Sequence, residues 1–302
     1  VAPFFWSGIA LTLVYFFGLL RIFRAGSVSL AEWCWAAWNP LNHQEHSRLV
    51  LPIACALLWW ERRRTAQIPR SPSSLGLLPF CLGIAAFLVA VRTAQPRLGI
   101  VALPLLFWGA TWFLWGAAVV RACRFPFAFL LLMVPVGNYV QGTVSLQLLV
   151  TGACNLLAPL IGLHVEATGT TIRSLDGGFH FEIAEGCSGI RSLMSMVSVT
   201  ALYVHFAQPV TWKKVAVFTG SLVFAVVGNI GRIFSVLLVA RFAGPKWAGG
   251  LYHDYSDLIF FPVAVAAMMG FNRWISRDWS RLAPRPQPIQ SAVQDREDRY
   301  DY

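Results

Sequence analysis

Cys187 stands inside the octapeptide at residues 185–192 (EGCSGIRS), where a thiol, a hydroxyl, two glycines and an arginine open a long apolar run. A cysteine at the start of a hydrophobic helix, with the Arg191 guanidinium four residues on, is drawn toward thiolate by that cation and by the positive end of the helix dipole. Thiolate is the attacking form, so the pattern suits covalent catalysis. The same residues also describe an inert buried cysteine at a helix start, with Gly189 easing close packing.

Two further groups bear on the choice. Arg232 lies in the segment GNIGRI (228–233), well inside an apolar run, and charges in such runs are functional candidates by default. Its plainer reading is an arginine snorkelling to the membrane surface. His253 lies in the polar stretch 244–257 (GPKWAGGLYHDYSD), where an ordinary loop histidine is the plainer reading. A thiol, an imidazole that takes its proton and a cation that stabilises an oxyanion are the parts required for acyl transfer through a thioester. They do so only if the fold brings them together.

The elements that must position them are membrane elements. Of the 302 residues 57% are hydrophobic and only 13% charged, against about 25% charged in a soluble domain. Mean hydropathy is +0.59, and there are 13 tryptophans and 22 phenylalanines. This composition implies an all-α polytopic membrane protein embedded in a lipid bilayer. The net charge of +10 comes as short clusters between apolar runs, the pattern of cytoplasmic loops and not of a nucleic-acid face. No nucleic-acid partner is expected. The six cysteines show no CxxC or Cys/His pairing, so no metal and no cofactor is expected either.

Hydropathy predicts about eight transmembrane helices, over residues 4–23, 49–60, 75–91, 98–120, 125–140, 190–206, 215–241 and 258–275. The first lacks a small-residue cleavage site and reads as a retained helix. Residues 27–46, rich in tryptophan, suit an interfacial loop. Residues 143–163 carry Thr143, Gln147, Thr151 and Asn155 at i+4 steps, a polar stripe that suits either an amphipathic surface helix or a span facing the bundle. The positive-inside rule favours the surface. Basic clusters at 61–64, at Arg121 and Arg124, and at Lys213 and Lys214 mark the cytoplasmic side, and only a surface-lying 143–163 then leaves Cys187 opposite them. Residues 164–183 alternate around Asp176-Gly177-Gly178 as a short extracytoplasmic β-hairpin. Arg21, Arg24, Arg92 and Arg97 fall on the outer side in this scheme, against the rule. Residues 1–281 read as a single integral membrane domain with the chemical motifs within 184–257, and 282–302 as a disordered cytoplasmic tail.

Arg232 is 17 positions beyond Val215, about 25 Å along a helix, which sets it near the outer edge of a core about 30 Å thick. Cys187 and His253 come to the same face. The order A-E-x-C-S-G-x-R-S at 184–192, N-x-x-R at Asn229 and Arg232, and a histidine, His253, in the next outer loop resembles the exosortase/archaeosortase family of polytopic membrane cysteine transpeptidases. The resemblance covers roughly residues 40–275. A departure is Asp254 and Asp257 after His253, where the family has a more glycine-rich continuation.

The resemblance implies Cys187 as nucleophile, Arg232 as the oxyanion or substrate-positioning cation and His253 as proton carrier, with Ser188, Arg191 and Asn229 in support. By spacing, Arg191 falls on the face of Cys187, and Asn229 at i−3 can orient Arg232; Glu185 reads as a helix-start cap. The implied substrates are secreted proteins with a tripartite C-terminal sorting signal: a short motif of the Pro-Glu-Pro kind, a transmembrane helix and a basic cluster. The implied activity is cleavage through a thioester on Cys187, with hydrolysis or transfer to an acceptor left open, at the extracytoplasmic face of the inner, cytoplasmic membrane. The competing expectation is a non-catalytic transporter or exopolysaccharide-assembly protein in which the arginines bind an anion.

Overall fold

A segment that crosses hydrocarbon must satisfy its own backbone hydrogen bonds, which makes the helix the default answer to long apolar runs. The computed structural model describes residues 11–12, 14–23, 27–39, 44–135, 142–182 and 189–277. The helices are α1 (Leu30–Ala37), α2 (Ser47–Ala66), α3 (Leu77–Arg92), α4 (Pro96–Trp115), α5 (Ala117–Phe129), α6 (Gly142–Leu157), α7 (Ile190–Ala207), α8 (Thr211–Ala243) and α9 (Asp257–Ser276). Among the described residues, six helices are long and apolar enough to cross a membrane: Ser74–Arg92, Pro96–Trp115, Val144–Ile161, Ile190–Ala207, Thr211–Ala243 and Asp257–Ser276.

Five of these match expected spans, and the sixth is the helix expected to lie on the surface. The expected span at 49–60 forms part of α2, which runs on through Glu61–Arg64 as one 20-residue helix. The expected first span, 4–23, is described only at 11–12 and 14–23, where a π-helical turn spans Val14–Leu19. The tail at 282–302 lies outside the described residues.

The chain breaks at Gly116, whereas sequence placed the break at residues 121–124. Gly116 has φ +92°, and a Cβ there would sit 2.2 Å from the Ser71 carbonyl oxygen, so the close approach of residue 71 sets the corner. Arg121 and Arg124 therefore lie within α5 instead of a loop. That helix ends in a 3-10 turn at Leu130–Met133. The carbonyls there accept from Trp38 Nε1 (Met133, 2.9 Å) and Ser47 Oγ (Leu132, 3.2 Å), and Arg97 Nε donates to the Pro135 carbonyl at 3.0 Å. Arg21 pairs with Glu32 at 2.6 Å. Two of the arginines that broke the positive-inside pattern thus have local acceptors.

Three packing regions result. One joins α1 to α5 around Phe23, Leu30, Val50, Ala54, Phe87 and Ile100. A second joins α7, α8 and α9 around Met196, Val217, Ala225, Ala264 and Met268. The third is built on the far end of α8, whose 33 residues measure about 50 Å and so exceed a hydrocarbon core by about 20 Å. There Ile233, Val236, Leu237 and Ala240 pack against Val150 and Cys154 of α6, against Ala158 in the 3-10 turn that follows it, and against Ile172 and Phe179. Ile172 belongs to a three-stranded antiparallel sheet, β1 (Val165–Thr168), β2 (Thr171–Ser174) and β3 (His180–Glu182), in that spatial order. The Asp176-Gly177-Gly178 turn joins β2 to β3; the first strand extends the expected hairpin by pairing Val165 with Ser174.

The buried face of α6 is not the polar stripe. Gln147 and Thr151 are buried, but Asn155 is exposed, and Val150, Cys154 and Ala158 complete the packed face. On the other side Val144, Leu148, Leu149, Leu156 and Leu160 are exposed. This apolar outer face is suited to lipid whether the helix lies in the interface or crosses it.

Candidate functional site

The stretch 244–256, expected as a loop, is folded into short helical turns at Pro245–Trp247, Ala248–Tyr252 and His253–Tyr255 that lead straight into α9. Those turns lie over one turn of α8. Tyr252 Oη donates to Ser235 Oγ at 2.9 Å, and Ser235 Oγ donates to the Arg232 carbonyl at 2.6 Å.

Arg232 is buried, 4% exposed, and its guanidinium is held on several sides. Nε donates to Ser256 Oγ at 2.9 Å, Nη2 donates to the His253 carbonyl at 3.2 Å, and Nη1 lies 3.2 Å from Asp257 Oδ1. Ser256 Oγ in turn donates to the same His253 carbonyl at 3.0 Å. Only a planar fork of five N–H donors meets three acceptors in such different directions and keeps donors in hand. A desolvated guanidinium is costly, and the Asp257 carboxylate offsets that cost. Small residues on α8 make the approach possible: a Cβ on Gly231 would lie 3.2 Å from the Phe260 ring, and one on Gly228 would lie 3.3 Å from Ala264 Cβ.

The cysteine-bearing motif meets the same turn through its glycine. Gly189 precedes α7 with φ +87°, a left-handed conformation that favours glycine, and a Cβ there would fall 2.7 Å from Asn229 Cγ and Nδ2. Ser192, one turn into α7, shares a narrow cleft with Asn229, Arg232, Asp257 and Phe260. The motifs around Gly189, Asn229–Arg232 and His253–Asp257, far apart in sequence, therefore converge on one turn of α8. Cys187, the nucleophile expected from sequence, lies outside the described residues, as do Ser188 and Glu185.

Arg191 forms an ion pair with Glu45 at 3.7 Å, both side chains being about two-fifths exposed or less. Glu45 stands just before α2, beside His46, whose imidazole is pushed below its ordinary range by burial and partly raised again by Glu45. His253 is half-buried at the opening of its helical turn. Among the described residues, no cluster of three His, Cys, Asp or Glu side chains is placed to hold a metal ion.

A family model described as transmembrane exosortase matches residues 38–270. The chain belongs to that family. It is a multi-pass membrane protein of the exosortase family, whose members generally act on secreted proteins bearing sorting signals. No curated protein matches the chain. No solved structure matches it either.

Sequence reasoning missed the exosortase residues that hold Arg232 in place. Asp257 had a readable signal, a carboxylate opening an apolar run at the depth of an unpaired arginine in the neighbouring run. Ser256, Ser235 and Tyr252 had none, since a hydroxyl in a polar stretch carries no mark of its partner. Glu45 became visible only through tertiary contact.

Proposed function

We propose that this exosortase is a membrane cysteine transpeptidase or endopeptidase that cleaves C-terminal sorting signals of secreted proteins at its extracytoplasmic face. Cys187 gives its thiol proton to His253, and its Sγ attacks the peptide carbonyl carbon near the signal motif and forms a C–S bond. Arg232, preorganised by Ser256, Asp257 and the His253 carbonyl, faces the negative charge that develops on the carbonyl oxygen. As the C–N bond breaks, the amine of the departing membrane-helix fragment takes a proton from His253. Water resolves the thioester to an acid, and an amine or lipid head group resolves it to a transfer product.

The observation that carries this reading is the contact of Gly189 with Asn229, one turn from Arg232. Cys187 is two peptide units from Gly189, and two residues of extended chain span about 7 Å at most. Fixed donors aimed at one point are worth more to an oxyanion than to any ground state. Ser188 and Arg191 are assigned supporting roles beside the thiol, and Asn229 a positioning role at Arg232. The eight-span arrangement, with α6 on the outer surface, belongs to the same proposal. It is supported by the basic residues of α2, α5 and α8 gathering at the opposite end of α8 from Arg232.

The test is co-expression of the full chain with a secreted reporter carrying the tripartite signal. Wild-type protein is expected to convert it to a shorter form, and Cys187→Ala to abolish conversion while reaching the membrane in equal amount. Continued processing by Cys187→Ala ends the proposal. In a background with Cys55 and Cys81, which are exposed, replaced by serine, an impermeant thiol reagent is expected to reach Cys187 from outside.

A further inference from the structure

At the end of the bundle away from Arg232, helices α2, α4, α5, α7 and α8 line an open cavity of about 690 Å³. Arg64, Arg121, Arg124 and Lys214 line it with His205, and the single carboxylate among the lining residues is that of Glu61. We propose that this cavity is a binding site for the phosphate of an anionic phospholipid headgroup.

The charge balance is the first argument. Glu61 Oε2 lies 3.8 Å from Arg64 Nη1 and so is matched within its own helix. Arg121, Arg124 and Lys214 then face the cavity as surplus positive charge from two other helices. Four cations brought together by tertiary packing repel one another, and a phosphodiester among them converts that repulsion into charge-assisted hydrogen bonds. Arginine forks suit phosphate geometry, and Arg121 and Arg124 stand one helical turn apart on α5. His205 is fixed by stacking on Phe125, ring centroids 3.9 Å apart and planes within 5°. It supplies a further ring N–H at the cavity wall.

Depth selects a lipid over a soluble anion. Trp59 and Trp60 directly precede Glu61, Trp212 lies two residues before Lys214, and all three rings are exposed, between 59% and 74%. Exposed tryptophans on a membrane protein mark the headgroup layer. Arg62 sits over Trp59 at 3.5 Å and Lys213 over Trp212 at 5.7 Å, the arrangement expected where cations meet both phosphate and ring faces. The cavity wall also carries Trp108, Ile68 and Ala128, an apolar lining for the glycerol and first acyl carbons that a free phosphate would leave unused. Basic pockets between helices on the positively charged side of a membrane bind anionic headgroups for these reasons. The site is separate from the proposed chemistry: Arg232 is 18 residues beyond Lys214 on α8, about 27 Å of helix.

The experiment uses full-length protein stripped in neutral detergent and titrated with phosphatidylglycerol, with phosphatidylcholine and with inorganic phosphate, bound lipid being counted by native mass spectrometry. Phosphatidylglycerol is expected to be retained in preference to phosphatidylcholine and not to be displaced by millimolar inorganic phosphate. Each cation near the surface contributes about fivefold, so Arg121→Gln with Arg124→Gln is expected to weaken retention roughly 20- to 30-fold. Glu61→Gln is expected to strengthen it about fivefold, a direction that structural damage does not produce. Equal retention of the two lipids, or unchanged retention in the double arginine variant, overturns the proposal. Inorganic phosphate that binds alone and displaces the lipid overturns it in favour of a soluble-anion site. If the arginine variant does not fold, the Glu61→Gln arm decides, and unchanged or weaker retention there overturns the proposal.

Discussion

Asp257 Oδ1 lies 3.2 Å from Arg232 Nη1, joining the first residue of the last helix to a buried guanidinium in the middle of the distal half of α8. The arginine side chain is 5% exposed and the aspartate 27%, so most of the desolvation falls on the cation. With Ser256 and the His253 carbonyl, this pair holds the Arg232 guanidinium in place.

Asp257→Ala leaves that cation buried without its carboxylate. Breaking a buried pair costs about 3–5 kcal/mol, and the partial exposure of Asp257 lowers the expectation to about 2–3 kcal/mol. Asp257→Asn keeps an acceptor oxygen and is expected to fall between the two. Thermal unfolding in detergent measures the first effect, and reporter processing is expected to drop at least tenfold in the alanine variant. Wild-type processing by Asp257→Ala would show that Ser256 and the His253 carbonyl suffice to orient Arg232.

Gly189→Ala tests the contact between the cysteine motif and α8. The left-handed conformation costs an alanine about 1 kcal/mol, and its Cβ meets Asn229 Cγ at 2.7 Å. Processing is expected to fall sharply while the protein still inserts. Adding Asn229→Gly removes the side chain in the way and is expected to restore folding stability more than activity, because the steric term is relieved and the Asn229 amide is lost. Equal recovery of both would mean that Asn229 only fills space.

Much of this was legible in residue order. The bounds of α7, α8 and α9 follow from hydropathy to within a few residues, since lipid solvent leaves a 20-residue apolar run little choice. The motif residues Gly189, Asn229 and Arg232 share a level because helix rise is fixed at about 1.5 Å per residue. What escaped was set by contacts between distant segments. The corner at Gly116 depends on Ser71, and the helical turns at 244–256 depend on stacking over Arg232 and Ser235. The packed face of α6 is set by its partners, the sheet and α8, which bury Val150 and Cys154 and leave Asn155 exposed. Polar periodicity alone does not say which neighbour a helix will have.

His46 provides a pH-dependent step near the site. Burial holds its imidazole below the usual value of 6.5, so as pH falls the unfolded chain takes up the proton before the folded protein does. The stability it contributes is fully present above pH 6.5 and is lost as pH falls through that value toward the lower folded pKa. Glu45, adjacent in sequence, opposes the shift, and it is the carboxylate that pairs with Arg191. Unfolding midpoints of wild type are therefore expected to decline as pH falls below the ordinary imidazole value of 6.5, and His46→Gln to flatten that decline. An unchanged profile in His46→Gln would assign the acid sensitivity to another group.

Arg232→Lys and Arg191→Lys separate the two arginines of the site. Lysine keeps the charge but replaces the planar fork by one ammonium, which cannot reach Ser256 Oγ, the His253 carbonyl and Asp257 together while facing a substrate. Loss of one oriented oxyanion donor typically costs about 10²–10³ in turnover, and Arg232→Lys is expected in that range with substrate affinity little changed. Arg191 pairs with Glu45 at 3.7 Å in a partly exposed position, where an ammonium serves nearly as well. Arg191→Lys is expected to retain processing within about threefold of wild type, the scale of a weak ion pair. Should the two variants show the reverse order, Arg191 is the cation that faces the reacting carbonyl and Arg232 holds the fold. The thermal midpoints tell the cases apart, because a purely structural Arg232 predicts a loss of stability that tracks the loss of activity, whereas an oxyanion donor predicts a loss of turnover in protein that remains folded.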